Sequence, residues 1–214
     1  LIKRLEKECM NTFKKIITKN FLTYKLWLIV LILIIIQSSL SQDMDTNMKT
    51  KQPDVVYNNS KEFVNAINKC ADYLEQGKTK FQIVPREILL AQAIIESNYG
   101  TSRFSEEANN LFGIRTYDLT EPHIKPLNNP TSEFGLKKYK NKCDSVADYI
   151  KILNNGFAFE RFREVRYQML LLDEIDLYEL VETLDRYASN PDYVKLLQKK
   201  IRSLINDERI SITD

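Results

Sequence analysis

The run from Val84 to Thr116, VPREILLAQAIIESNYGTSRFSEEANNLFGIRT, decides how the chain folds. Its first half reads as one helix. Pro85 suits a first helical position, where a missing N–H costs nothing. Ile88, Leu89, Leu90, Ala91, Ala93, Ile94 and Ile95 are apolar on nearly every side, which predicts a central, buried helix. Gly100 fits a C-terminal stop. Gln92 and Glu96 interrupt the apolar run four residues apart, so they share a face. A glutamate in the last turn faces the negative end of the helix dipole, and burial penalises its charge. Both effects raise its pKa, as a general acid working near neutral pH requires. Two plainer readings stand beside this one: an ion pair with Arg103 or Arg115, or emergence of Glu96 into solvent at the helix end.

Outward from this run, 214 residues suffice for one globular domain with additions. The 31 basic and 29 acidic residues nearly cancel, which gives no electrostatic case for nucleic-acid binding. Only 5 glycines and 6 prolines are present, too few for a turn-rich strand fold, so an all-α core is expected. Ser60 should cap a helix with Phe63, Ile67, Cys70, Ala71 and Leu74 on its inner face, ending at Gly77. Asp144 should cap another, with Val146, Ala147, Tyr149, Ile150 and Leu153 inward and Asn155-Gly156 as its stop. Leu177, Leu180, Val181 and Leu184 mark a helix over Ile175 to Tyr187. Tyr193, Leu196, Leu197, Ile201 and Leu204 mark the last one, its lysines forming a solvated face. Between them, Thr116 to Lys142 has three prolines and no periodicity, which points to a functional or mobile segment. His123, the single histidine, lies there with no ligand cluster around it, so no metal or cofactor is expected.

The N-terminal end carries a different signal. Lys14, Lys15, Lys19 and Lys25 precede an unbroken apolar run from Leu26 to Ile36, and Ser39 and Ser41 follow. This pattern predicts a secretory signal over residues 1–41, cut after Ser41, with Met10 as its start. Residues 21–40 alternatively serve as an uncleaved membrane anchor, although the purely apolar stretch is shorter than the ~20 residues a span needs. Either way the remainder is exported, to the periplasm or cell envelope. Residues 42–59 are polar and predict a disordered linker, which leaves residues 60–208 as the domain. An exported compartment permits a Cys70–Cys143 disulfide; two buried free thiols fit the helix pattern equally well.

The central run also resembles a known family. Ala93, Glu96, Ser97, Gly100 and Ser102, then Asn109, Asn110, Leu111, Phe112 and Gly113, match the A-x-x-E-S-x-x-G-x-S and N-N-L-F-G pattern of glucosaminidase domains. These form glycoside hydrolase family 73 of the lysozyme-like superfamily, and the Bax-like branch is the nearest in pattern. The likeness continues through Tyr139, Tyr149, Leu153, Asn154, Phe162, Arg163, Arg166, Leu184, Tyr187 and Tyr193. It implies a lysozyme-like helical domain with a small irregular or hairpin lobe over the cleft. It implies peptidoglycan as substrate, cut between N-acetylglucosamine and N-acetylmuramic acid, with Glu96 as general acid. Glu133 is the implied second catalytic carboxylate, because it precedes Lys137-Lys138-Tyr139; Glu121 and Asp118 are the other candidates. A mechanism using the substrate's own N-acetyl group needs none of the three. Tyr99, Asn110, Phe112 and Tyr187 are the implied substrate contacts, with core packing an equal alternative for Phe112 and Tyr187. A lytic transglycosylase or muramidase on the same polymer, or an idle wall-binding module, are the competing functions.

Overall fold

A computed structural model describes residues 30–33 and 51–206. Two units are distinguished, residues 1–51 and 52–214. In the first, residues 30–33 are helical and exposed. The rest of the expected signal or anchor, and residues 42–50 of the expected linker, lie outside the described residues. No helix among the described residues is long and apolar enough to cross a membrane.

The second unit is mostly helical with one small antiparallel sheet. Its elements run α1 (Ser60–Glu75), α2 (Arg86–Ser97), α3 (Arg103–Ala108), β1 (Arg115–Thr116), β2 (His123–Ile124), β3 (Gly135–Lys137), α4 (Lys142–Asn155), α5 (Glu160–Leu171), α6 (Leu177–Glu182) and α7 (Tyr193–Asn206). Helix α2 is the hub. Ile88 to Ile94 are buried without a break, and α2 packs most extensively on α7, with α1 on another side. Arg86 fixes its start to α1, donating to Asp72 at 2.8 Å and Glu75 at 2.9 Å. The first turns of α1 and α4 are capped by asparagine. Asn59 accepts from the Glu62 N–H and Asn141 from the Asp144 N–H, one and three residues before the expected Ser60 and Asp144 caps. Pro85 is likewise the cap of α2 rather than its first residue. Helix α6 is shorter than expected because the chain tightens into turns from Thr183 to Tyr187.

Two expectations change here, and one open alternative is decided. Arg115 to Lys137 forms a three-stranded sheet of order β1-β3-β2 beside the helical core, so the lobe is more than a hairpin. Arg115 pairs with Leu136 and His123 with Lys137. Strands of two and three residues offer no alternation to detect, which is why composition missed them. Residues 52–59 do not behave as a linker. Val55 is buried, Gln52 donates to Asp144 at 2.9 Å, and the Tyr57 hydroxyl donates to the Gly100 carbonyl at 2.9 Å. One aromatic and one valine suffice to fasten an otherwise polar strap. Between the two readings of the cysteines, the disulfide holds: Cys70 on α1 and Cys143 on α4 are bonded, with Cα atoms 5.8 Å apart and both side chains fully buried.

Candidate active site

Glu96 sits in the last turn of α2, half-buried, on the wall of a cleft of about 470 Å³. The turn that follows explains the E-S-x-x-G-x-S spacing. The Ser97 hydroxyl donates to the Ala93 carbonyl at 2.5 Å and accepts from the Gly100 N–H at 2.8 Å. Asn98, Tyr99 and Gly100 are all left-handed, with φ of 50°, 56° and 78°. Gly100 is needed for space as well as for φ, because a Cβ there would overlap the Tyr57 ring. Ser102 then caps α3, accepting from the Ser105 N–H. The reversal leaves the end of α2 open on the side of Glu96.

The opposite wall is the N-N-L-F-G loop. Asn109 ends α3 in the left-handed region and donates to the Tyr139 carbonyl at 3.0 Å. The Asn110 side chain donates to the Ile114 and Lys137 carbonyls at 2.8 and 2.9 Å and accepts from the Phe112 and Ile114 N–H groups. Phe112 stacks on Tyr149 with centroids 4.1 Å apart, and its carbonyl accepts from the Tyr187 hydroxyl at 2.9 Å. Gly113, at φ 63°, lies directly across from the acid: a Cβ there would come within 3.6 Å of Glu96 Oε2. Any larger side chain at this position would narrow the space in front of the carboxyl.

Arg115, Tyr149, Ile152, Phe159, Arg186 and Tyr187 complete the cleft wall. Among the described residues Glu96 is the single carboxylate on that wall. Burial raises its pKa, and a hydrogen bond from the Tyr193 hydroxyl partly opposes the rise. Neither arginine suggested by the sequence pairs with it. Arg103 bonds Glu107 at 2.8 Å, and the Arg115 guanidinium lies over the Phe134 ring at 4.3 Å. Among the described residues no three metal-capable side chains come together.

The other expected site residues fall in several places. Glu133 is exposed just before β3 and does not line the cleft. Glu121 accepts from Thr116 at 3.0 Å and lies 3.8 Å from the Lys137 ammonium, while Asp118 accepts from Thr120. The structure therefore does not gather these carboxylates with Glu96. Tyr99 lines a separate cavity with Tyr57 and Lys142, its ring against Phe63. Asn110 and Phe112 are 1% and 2% exposed, so both build the wall rather than offer a face to sugar. Tyr187 does both of the things weighed for it: it lines the cleft and spends its hydroxyl on Phe112. Sequence reasoning placed Tyr149 and Tyr193 only in the core. The available signal was Gln92, a buried amide whose four hydrogen-bonding positions demanded polar partners from the facing helices.

The Glucosaminidase family profile, described as mannosyl-glycoprotein endo-beta-N-acetylglucosaminidase, matches residues 71–206. The chain is similar to the exo-glucosaminidase LytG of Bacillus subtilis, 24% identical over 91% of this chain and 69% of that one. It is 27% identical to the protein bax of Escherichia coli over 51% of this chain and 39% of that one. It is also 27% identical to the peptidoglycan hydrolase FlgJ of Vibrio parahaemolyticus, over 71% of this chain and 50% of the relative. It thus spans about two thirds of the first relative and half or less of the other two. The chain belongs to the glucosaminidase family, with Bax-like members among its relatives, and is a glycoside hydrolase.

Proposed function

We propose that the chain hydrolyses peptidoglycan glycan strands at the bond from N-acetylglucosamine to N-acetylmuramic acid, acting as a lysozyme-like endo-β-N-acetylglucosaminidase with Glu96 as general acid. The observation that carries this is the placement of Glu96: a half-buried carboxyl with a raised pKa, on a cleft wall with an open approach over Gly113. A proton retained on Glu96 passes to the glycosidic oxygen as the bond to the anomeric carbon breaks. The names of the relatives, a glucosaminidase and a peptidoglycan hydrolase, support both bond and polymer. The buried Cys70–Cys143 disulfide supports an oxidising, extracytoplasmic location, to which residues 1–41 would direct the chain.

The second catalytic group is read from the same wall. With Glu133 exposed and off the cleft, the reading that needs no second carboxylate is favoured, in which the substrate's own acetamido oxygen is the nucleophile. It closes onto the anomeric carbon as the leaving oxygen takes the proton from Glu96. Water then opens the resulting ring, returning its proton to Glu96, with retention at the anomeric carbon. Mass analysis of fragments from purified peptidoglycan tests the function. Reducing-end N-acetylglucosamine is the expected product. Reducing-end muramic acid would show a muramidase, and anhydro-muramic ends a transglycosylase.

A further inference from the structure

Gln92 lies one turn before Glu96 on α2 and is fully buried. Its amide is bonded at both ends. The Tyr149 hydroxyl donates to Oε1, and Nε2 donates to the Tyr193 hydroxyl at 2.8 Å. A phenol has one proton to give. The Tyr193 oxygen already accepts from Gln92, so its own proton is free for the neighbour on its other side. That neighbour is the Glu96 carboxyl, within hydrogen-bonding reach of the Tyr193 hydroxyl. The order Tyr149, Gln92, Tyr193, Glu96 runs in one direction only. Turning the amide over would set Oε1 against Tyr193, and Tyr193 would then spend its proton on Gln92 instead of Glu96. The rings are held as firmly as the amide. Tyr149 stacks on Phe112 at 4.1 Å, and Tyr193 stacks on Tyr187 at 5.7 Å with planes 10° apart.

We propose that Gln92, Tyr149 and Tyr193 form a one-way positioning chain that aims the Glu96 carboxyl into the cleft and presents a fixed donor to its ionised form. The proposal rests on Glu96 being the general acid. None of the three needs to touch the reacting atoms; they act through Glu96. The groups that face Glu96 are Tyr193 from α7, Tyr149 from α4 and Tyr187 after α6, with Arg115 and Arg186 on the same cleft wall. Among the described residues Glu96 has no ion pair, so the phenol of Tyr193 is its specific stabilising contact. Once Glu96 has given up its proton, the Tyr193 donor stabilises the carboxylate that remains. Burial alone would leave a weaker acid than the reaction needs, and the chain offsets part of that effect.

The test uses the full chain carrying carboxyl-labelled glutamate, with Glu96 titrated directly by carbon NMR and the pH profile of kcat/KM measured alongside. Tyr193→Phe keeps the ring stack and removes the donor, so the Glu96 titration should move to higher pH. The alkaline limb of the rate profile should move with it, and kcat should fall about tenfold. Tyr149→Phe does not touch Glu96. It should nevertheless shift the titration the same way, because the freed amide can turn and claim the Tyr193 proton. The double variant should shift no further than Tyr193→Phe alone, since both changes remove the same donor. A purely structural role would lower Tm and leave the titration unmoved, and that result in either variant overturns the chain. Should Tyr193→Phe fail to fold, Tyr149→Phe carries the test by itself. A titration that moves while the rate limb stays fixed keeps the chain and removes Glu96 as general acid, so the two readings fail separately.

Discussion

Glu96 is where energetics and chemistry meet. Burial holds its carboxyl above the ordinary carboxylate range, and Tyr193 pulls it partly back. A raised folded pKa means that the folded chain keeps a proton the unfolded chain has already released. The stability this group contributes is therefore present at acid pH and is lost as pH rises through the folded value. Glu96→Gln removes the cost of the charge and keeps the shape. Thermal melts should show the variant at least as stable as the wild type at neutral pH, with the advantage closing toward about pH 4. Activity on wall substrate should drop by roughly 10²–10⁴-fold, the contribution of general-acid catalysis. A folded Glu96→Gln enzyme with near-normal turnover would remove the acid from the mechanism. Glu133 supplies the contrast. It is exposed and off the cleft, so Glu133→Gln should change turnover only mildly. A loss as large as that of Glu96→Gln would show that Glu133 reaches the substrate and activates water.

At the level of elements, the disulfide and the small sheet make separate demands. The Cys70–Cys143 bond closes a 73-residue separation between α1 and α4. The loop-entropy account assigns such a closure about 4 kcal/mol. Reduction should therefore lower Tm by on the order of 10 °C, and a Cys70→Ala, Cys143→Ala double variant should melt alike under reducing and oxidising conditions. The sheet predicts a graded lobe rather than a uniformly mobile one. The Lys137 N–H donates to the Ile114 carbonyl at 2.9 Å, and Tyr139 and Lys137 both bond Asp148 on α4. Hydrogen exchange should be slow at Lys137 and fast across the exposed residues 127–131; equal rates at both would refute the graded lobe. Legibility follows the same division. The α2 apolar run, the α1 and α4 faces and the glutamate at the end of α2 were readable because helical period and burial are local properties. The sheet was not, since strands of two or three residues are held by partners far along the chain. Tyr149 and Tyr193 were placed correctly as inward residues, but their roles depend on a third side chain, Gln92, and on which end of its amide each meets. Residues 52–59 were misread because a strap needs only Val55 and Tyr57 to dock, and average polarity hides both.

For the whole molecule, near-neutral charge conceals an uneven distribution around the acid. With 31 basic and 29 acidic residues the chain as a whole exerts little pull on a polyanion. The cleft is different: Arg115 and Arg186 line it with Glu96, and no other charged side chain among the described residues does. Arg115 is held by Phe134, and neither arginine has a carboxylate partner among the described residues. Peptidoglycan carries carboxylates on muramic acid and on its peptides; an oligomer of N-acetylglucosamine carries none. Two unpaired guanidinium groups beside the acid should therefore favour the charged polymer by attraction that salt screens. Arg115→Gln with Arg186→Gln should raise KM on peptidoglycan fragments while leaving kcat close to normal, the pattern of lost uniform binding. The salt dependence of kcat/KM should flatten in the same variant. Turnover of neutral N-acetylglucosamine oligomers, where the wild type cleaves them, should be unchanged. If the double variant loses kcat equally on charged and neutral substrates, the arginines act on the transition state or on the wall itself, and recognition of the anionic polymer must lie elsewhere on the domain.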